Sequence, residues 1–150
     1  MTILHQATAA ALLLIGTLWL QCIGIAALIE WLRRVMTREI YKLGSIRAAL
    51  LVMQVAVAMI VLHTLTILLW AGFYRLRCFP TWELAFYFSG STYATVGYGD
   101  VTLPSHWRLL GPLESMLGVL MCGVSVSILF AVVTRIVDAQ DPDKNRTAGT

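Results

Sequence analysis

The chain has 150 residues, of which 59% are hydrophobic and only 13% are charged, and its formal net charge is +3 at pH 7. Soluble domains carry about a quarter charged residues, so this composition excludes an ordinary soluble domain and indicates that lipid is the main solvent. The basic residues lie beside apolar segments, where they predict membrane topology, so we expect no nucleic-acid partner.

The first predicted element is a membrane-spanning helix within residues 1–33, with its apolar core from about Ala7 to Ile29. A helix needs about 20 apolar residues to cross a hydrocarbon core of about 30 Å. No Lys or Arg precedes this apolar run, which is also too long for the apolar region of a signal peptide. We therefore expect a retained helix. Three roles for it stay open: packing at the periphery, linking neighbouring subunits, or restraining a pore.

A basic linker over residues 34–47 follows the first helix. The basic residues in and beside it are Arg33, Arg34, Arg38, Lys42 and Arg47, against Glu39 alone. Short loops rich in Lys and Arg stay in the cytoplasm, so we expect the N-terminus outside. The segment 31–47 could form an amphipathic helix at the membrane interface or a solvated linker, and its composition fits both.

Two more apolar runs are long enough to span, over residues 48–74 and 109–136. With three spans, the polar tail over 137–150 is cytoplasmic, and it is too short to form a regulatory domain. The predicted fold is an all-α, multi-pass integral membrane protein with three transmembrane helices per chain.

The segment between the second and third spans is too short and too polar to cross the bilayer. It predicts a re-entrant helix over 81–93, with Thr81 as the N-cap and Glu83 in the first turn, where the helix dipole favours an acid. Irregular backbone at membrane depth survives only where protein buries it or where it lines a watery cavity. We therefore expect the loop at 94–101 to line such a cavity.

This loop contains the string TVGYGD at residues 95–100. Gly97 and Gly99 can adopt backbone conformations closed to residues with a Cβ, which lets successive carbonyl oxygens turn to the same side. Facing copies of such a column would surround a cation with eight oxygens in place of its water.

TVGYG is the known filter signature of potassium channels, and the stretch 48–136 resembles the two-helix pore unit of the pore-loop potassium channel family. The resemblance implies an outer helix over 48–74, a pore helix over 81–93, a selectivity filter over 95–100 and an inner helix over 109–136. It also implies which groups act on the ion. Backbone carbonyls of Thr95, Val96, Gly97 and Tyr98 and the Thr95 hydroxyl would coordinate dehydrated K⁺, Gly99 and Asp100 would close the outer mouth, and Tyr87 would support the filter.

Three residues depart from the family pattern: Ser91, Tyr93 and Ala94. These differences bear on the stability of the filter and do not involve its coordinating carbonyls. One filter string is a quarter of a ring and no internal repeat supplies another, so we expect a homotetramer. The expected partners are other copies of the chain, membrane lipids and K⁺, the expected location is the plasma membrane, which in bacteria is the inner membrane, and no cofactor is expected beyond permeant K⁺.

No enzyme motif competes with this interpretation, since the sequence has no Ser/His/Asp set and no phosphate loop. Its three cysteines, at wide spacings, predict neither a disulfide framework nor a metal site. We therefore expect no enzyme activity. Two alternatives stay open: a weakly selective cation channel, and a non-conducting membrane scaffold or sensor built on the same pore unit.

Four residues in the apolar spans have a functional and a structural interpretation. Gly118 and Gly123 in the third span fit a gating hinge, or small residues that allow close helix packing. His63 and Glu114 are ionisable groups at membrane depth, where such groups are costly. We expect them to hydrogen-bond to each other and brace the filter, either as a pH sensor or as a buried pair without a sensing role.

Overall fold

A computed structural model describes residues 3–36 and 45–140. In these ranges the chain forms four α-helices and one short 3₁₀-helix, without a strand, so the all-α prediction is confirmed. The helices are α1 (Ile3–Met36), α2 (Ser45–Arg77), α3 (Trp82–Tyr93) and α4 (Leu110–Gln140), and the 3₁₀-helix is Ser105–Trp107.

Helices α1, α2 and α4 are long and apolar enough to cross a membrane. Each helix extends beyond the apolar run that predicts it. The predicted runs contain only the residues needed to cross the hydrocarbon core, whereas a helix can continue at its polar ends among the lipid headgroups. Arg33 and Arg77 lie in two of these extensions, and Asp138 lies in that of α4. Residues 37–44, in the middle of the predicted interfacial segment 31–47, and residues 141–150, the greater part of the predicted tail, lie outside the described residues.

Helix α1 runs antiparallel to α2 and is joined to it by two buried hydrogen bonds. Trp70 Nε1 donates to Thr17 Oγ1 at 2.8 Å, and Gln21 Nε2 donates to Thr66 Oγ1 at 2.8 Å. Apolar helices gain little from hydrophobic association in lipid, so polar contacts and small residues hold them together. Gly24 on α1 allows such a close approach, because a Cβ there would overlap a leucine side chain of α2.

The core consists of two clusters at opposite ends of the bundle. The loop end is the end where residues 78–109 lie, and the linker end is where α1 ends and α2 begins. At the loop end, α3 packs against α2 and α4 through Trp70, Tyr74, Phe88 and Trp107, among others. At the linker end, α1 packs on α2 and α4 through Leu28, Leu32, Val55 and Val132, among others. The loop-end cluster fixes the position of α3.

Candidate functional site

Helix α3 begins where the sequence predicts. The backbone N–H of Leu84 donates to Thr81 Oγ1 at 3.3 Å, which caps the helix, and Glu83 lies in its first turn. Both features stabilise a helix N-terminus, where four N–H groups lack partners within the helix. The helix has 12 residues and ends against the loop that carries the TVGYGD string.

The sign of the backbone angle φ alternates along this loop. φ is +60° at Thr95, +53° at Gly97 and +79° at Gly99, and it is negative at Val96 and Tyr98. A change in the sign of φ from one residue to the next lets successive peptide planes turn their carbonyls to the same side. The sequence predicts this freedom for the two glycines. Thr95 is a predicted site residue, but its positive φ was not predicted, because a residue with a Cβ rarely adopts this conformation and the strain costs about 1–3 kcal/mol.

The last turn of α3 holds the start of the loop through its carbonyl oxygens. The N–H groups of Val96 and Gly97 donate to the Ser91 carbonyl oxygen at 2.9 and 3.1 Å, and the Thr95 N–H donates to Thr92 at 2.9 Å. Within residues 3–36 and 45–140, none of the carbonyls at 95–99 accepts a hydrogen bond. Three N–H groups of the loop therefore attach it to α3, whereas its carbonyl oxygens at 95–99 have no hydrogen-bond donor among the described residues.

Tyr87 and Asp100, the two predicted supports, are in direct contact. The Tyr87 hydroxyl donates to Asp100 Oδ2 at 2.8 Å, and the Val101 N–H donates to Asp100 Oδ1 at 3.0 Å. The hydrogen bond to Asp100 raises the pKa of the Tyr87 hydroxyl. The Tyr87 and Tyr98 rings are parallel within 8°, with centroids 6.2 Å apart. α3 is thus tied to the end of the loop as well as to its start.

Glu114 is fully buried where α2, α3 and α4 meet. It accepts from the Tyr74 hydroxyl of α2 at 2.8 Å and is hydrogen-bonded to the Ser89 Oγ of α3 at 2.5 Å. Ser89 Oγ also lies 3.0 Å from the Ile67 carbonyl oxygen of α2. These contacts connect α2, α3 and α4 behind the loop.

His63 makes a second polar connection, closer to the linker end. Its Nδ1 lies 2.9 Å from the Tyr93 hydroxyl and its Nε2 lies 2.9 Å from Ser125 Oγ. Ser125 Oγ also lies 2.9 Å from the Met121 carbonyl oxygen. When Ser125 donates its proton there, it accepts from Nε2–H of His63, and Nδ1 accepts from Tyr93. A neutral His63 completes this chain, which ends at Tyr93, two residues before the loop's first left-handed residue.

The predicted His63–Glu114 pair is wrong, because the two side chains lie at different depths. α2 runs to Arg77 and α4 begins at Leu110, so His63 is about 20 Å from the loop end of its helix and Glu114 about 6 Å, at 1.5 Å per residue. The prediction counted from Phe73 and Trp107, so it ended α2 four residues too early and began α4 three residues too early, which made the two depths look equal. Tyr74 and Ser89, the true partners, were missed; tracing α2 to Arg77 would have placed Tyr74 beside Glu114.

Gly118 and Gly123 differ in their surroundings. A Cβ at Gly118 would overlap the Tyr93 carbonyl oxygen and lie 2.9 Å from the carbonyl carbon, whereas a Cβ at Gly123 would meet no atom within 4 Å. Gly118 therefore lets α4 approach the C-terminal end of α3, which favours the packing interpretation at this position. The hinge interpretation stays a prediction for both.

Comparison with known proteins places this geometry in a family. A family model described as "Ion channel" matches residues 48–135, which contain most of α2, all of α3, the loop and most of α4. No curated protein and no solved structure matches the chain. The three apolar helices and the matched domain are those of an integral membrane protein that conducts ions passively. Because the match covers more than half of its length, the chain belongs to this ion channel family.

Proposed function

We propose that this protein is a potassium-selective channel that conducts K⁺ passively across the membrane. The observation that carries the proposal is the alternating sign of φ within the string TVGYG, where φ is positive at Thr95, Gly97 and Gly99. That backbone directs unused carbonyls to one side, and carbonyl oxygens in such an array replace the hydration shell of K⁺. The coordinating groups are the carbonyls of Thr95, Val96, Gly97 and Tyr98, with the Thr95 hydroxyl.

Four copies around one axis complete the pore in this proposal. The loop is exposed on the single chain: Tyr98 is 70% and Val96 53% exposed. One chain supplies one column of oxygens, and cyclic symmetry supplies the facing columns. The N-terminus lies outside, the basic linker lies in the cytoplasm, and the plasma membrane is the proposed location.

Helix α3 adds an electrostatic contribution. Its C-terminal end lies directly before Thr95, and the backbone carbonyls there carry about half an elementary negative charge. In a tetramer, four such ends would face the region below the loop and lower the free energy of a cation at that depth. This arrangement favours cations over anions, while the carbonyl column sets the preference among cations.

The reversal potential of purified protein in planar bilayers tests this proposal, with K⁺ on one side and Na⁺ on the other. We expect a value near the K⁺ equilibrium potential for the wild type. Gly97→Ala should lose it, because φ of +53° strains a residue with a Cβ. Gly72→Ala is the matched control, since a Cβ at this α2 position would meet no atom within 4 Å.

Each alternative has its own outcome. A reversal potential near zero in the wild type would contradict potassium selectivity and indicate a weakly selective cation channel. Assembled protein without current in any variant, under a range of pH and voltage, would indicate a non-conducting scaffold. Unchanged K⁺ selectivity in Gly97→Ala would contradict the proposal that this loop is the selectivity filter.

A further inference from the structure

A cluster of buried polar side chains connects α1 to the end of α3. Gln21 of α1 and Thr66 of α2 are both buried, and Gln21 Nε2 donates to Thr66 Oγ1 at 2.8 Å. The Tyr93 hydroxyl, which lies 2.9 Å from His63 Nδ1, is also in hydrogen-bonding contact with the side chains of Thr66 and Gln21. Polar contacts therefore continue from α1 through α2 to α3.

The number of protons in this cluster gives Gln21 a central position. Thr66 has one hydroxyl proton, and its Oγ1 lies 3.2 Å from the Leu62 carbonyl oxygen. When Thr66 donates there and Tyr93 donates to His63, neither hydroxyl has a proton left for the other. The amide nitrogen of Gln21 carries two protons, so it can donate to both Thr66 and Tyr93. An amide buried in an apolar span is costly unless it is hydrogen-bonded, and these contacts satisfy it.

Tyr93 connects this cluster to the loop. It is the last residue of α3 and is buried, and its backbone carbonyl packs directly against Gly118 of α4. Thr95, two residues later, has the first positive φ of the loop, and its N–H donates to the Thr92 carbonyl at 2.9 Å. A shift of Tyr93 therefore changes how the loop is attached to α3.

We propose that Gln21 is a positioning residue for the loop and acts on it through the Tyr93 hydroxyl. In this proposal α1 supports the loop in addition to packing beside α2. The effect on K⁺ selectivity rests on the proposed function, whereas the effect on the loop backbone does not depend on which ion passes. The other buried hydrogen bond between α1 and α2, from Trp70 to Thr17, provides a comparison, because no hydrogen bond among the described residues continues from it to α3 or the loop.

The test is amide hydrogen exchange of the full-length protein in micelles at constant K⁺ concentration, measured by NMR at residues 95–97, whose N–H groups hold the loop to α3. Gln21→Leu keeps a side chain of similar size and removes both N–H donors. Exchange at 95–97 should rise at least about three-fold, the factor expected from one hydrogen bond between membrane helices. The Cys78 N–H, which donates to the Tyr74 carbonyl at 2.8 Å, reports general loosening and should keep its rate. In planar bilayers the same variant should lower the K⁺/Na⁺ permeability ratio.

Two further variants separate a positioning role from ordinary helix packing. Thr17→Val leaves the buried Trp70 N–H without its partner, so it should destabilise the protein at least as much as Gln21→Leu does. It should nevertheless keep the exchange rates at 95–97 and the permeability ratio. Tyr93→Phe removes the hydroxyl through which Gln21 acts, so adding Gln21→Leu to it should have no further effect, whereas independent packing contacts would give additive effects.

The outcomes distinguish this proposal from the proposed function. Unchanged exchange at 95–97 in Gln21→Leu, an equal rise in Thr17→Val, or additive effects of Gln21→Leu and Tyr93→Phe would overturn the positioning role. A wild type without K⁺ selectivity would contradict the proposed function, yet faster exchange at 95–97 in Gln21→Leu alone would still support Gln21 as a positioning residue. Size-exclusion profiles identify any variant that fails to fold, and Gln21→Met, which also lacks the N–H donors, repeats the test if Gln21→Leu does.

Discussion

The hydrogen bonds around Glu114 favour a protonated, neutral carboxyl group. Ser89 has one hydroxyl proton but two acceptors within reach, the Ile67 carbonyl and the Glu114 carboxyl. If Ser89 donates to Ile67, then Glu114 has to donate to Ser89 and must carry its own proton. A neutral acid also avoids the cost of a buried charge without a cationic partner. Glu114 then accepts from Tyr74 and donates to Ser89, so every group in the cluster is satisfied.

This state predicts that glutamine can replace Glu114. In Glu114→Gln the amide oxygen can accept from Tyr74 and the amide nitrogen can donate to Ser89, so the free energy of unfolding should change by less than about 1 kcal/mol. Glu114→Ala leaves buried hydroxyl groups without partners, at about 1–3 kcal/mol, and adds a cavity. Unfolding in mixed micelles measures both.

The control for that comparison is an exposed glutamate with one ion-pair partner. Glu30→Gln removes the surface pair with Arg34 and should cost no more than about 1 kcal/mol. Glutamine and alanine at position 114 that destabilise equally would contradict the neutral-acid interpretation, because the carboxylate charge would then be the essential feature.

At the scale of elements, the crossing of α3 and α4 at Gly118 connects the inner helix to the loop. Gly118→Ala pushes a Cβ into the Tyr93 backbone, which cannot move without shifting the end of α3 and Thr95. We expect a loss of about 1–3 kcal/mol from overpacking and reduced ion selectivity in the reversal-potential assay. Gly123→Ala, with open space at the Cβ position, should keep stability and selectivity, since alanine favours a helix by up to about 1 kcal/mol.

A hinge at these glycines makes a different prediction for the same two variants. Stiffening a hinge should lower the open probability while leaving the selectivity of the remaining openings intact. Single-channel recordings separate the two effects. Normal selectivity with rare openings in Gly118→Ala would contradict the packing interpretation, and rare openings in Gly123→Ala would identify a hinge at that position.

At the scale of the whole molecule, the proposed pore needs four chains, which predicts how a damaged chain acts on its neighbours. We assume that one Gly97→Ala chain abolishes the selectivity of the whole tetramer. Equal mixing with wild type should then leave roughly one sixteenth of the selective current, because all four chains of a selective tetramer must be wild type. Co-expression at known ratios, followed by flux or current measurement, tests this. Mixing with Gly72→Ala should leave the current unchanged.

A different dependence on the mixing ratio would overturn the tetramer. Half of the selective current remaining at equal mixing would mean that each chain conducts alone, and one quarter would indicate a ring of two. Native mass spectrometry of the wild type gives an independent measure, with an expected mass four times that of one chain.

The amino-acid sequence by itself determined the fold class, the three spans, the re-entrant helix and the position of the loop. These features depend on local rules: a bilayer of known thickness sets the length of apolar runs, Thr81 satisfies a helix end, and Gly97 and Gly99 permit a left-handed backbone. The supporting roles of Tyr87 and Asp100 came only from the family resemblance, and the hydrogen bond between the two side chains was not predicted.

Only the tertiary structure decided which distant side chains meet. The partners of Glu114 and His63 depend on the relative depth of α2 and α4, and an error of three or four residues at helix ends moves a side chain by about 5 Å along the axis. The positive φ at Thr95 depends on the carbonyls of α3 that hold the loop. Such contacts join residues far apart in the chain, and their energies come from packing and hydrogen bonding between helices, which no local pattern of residues records.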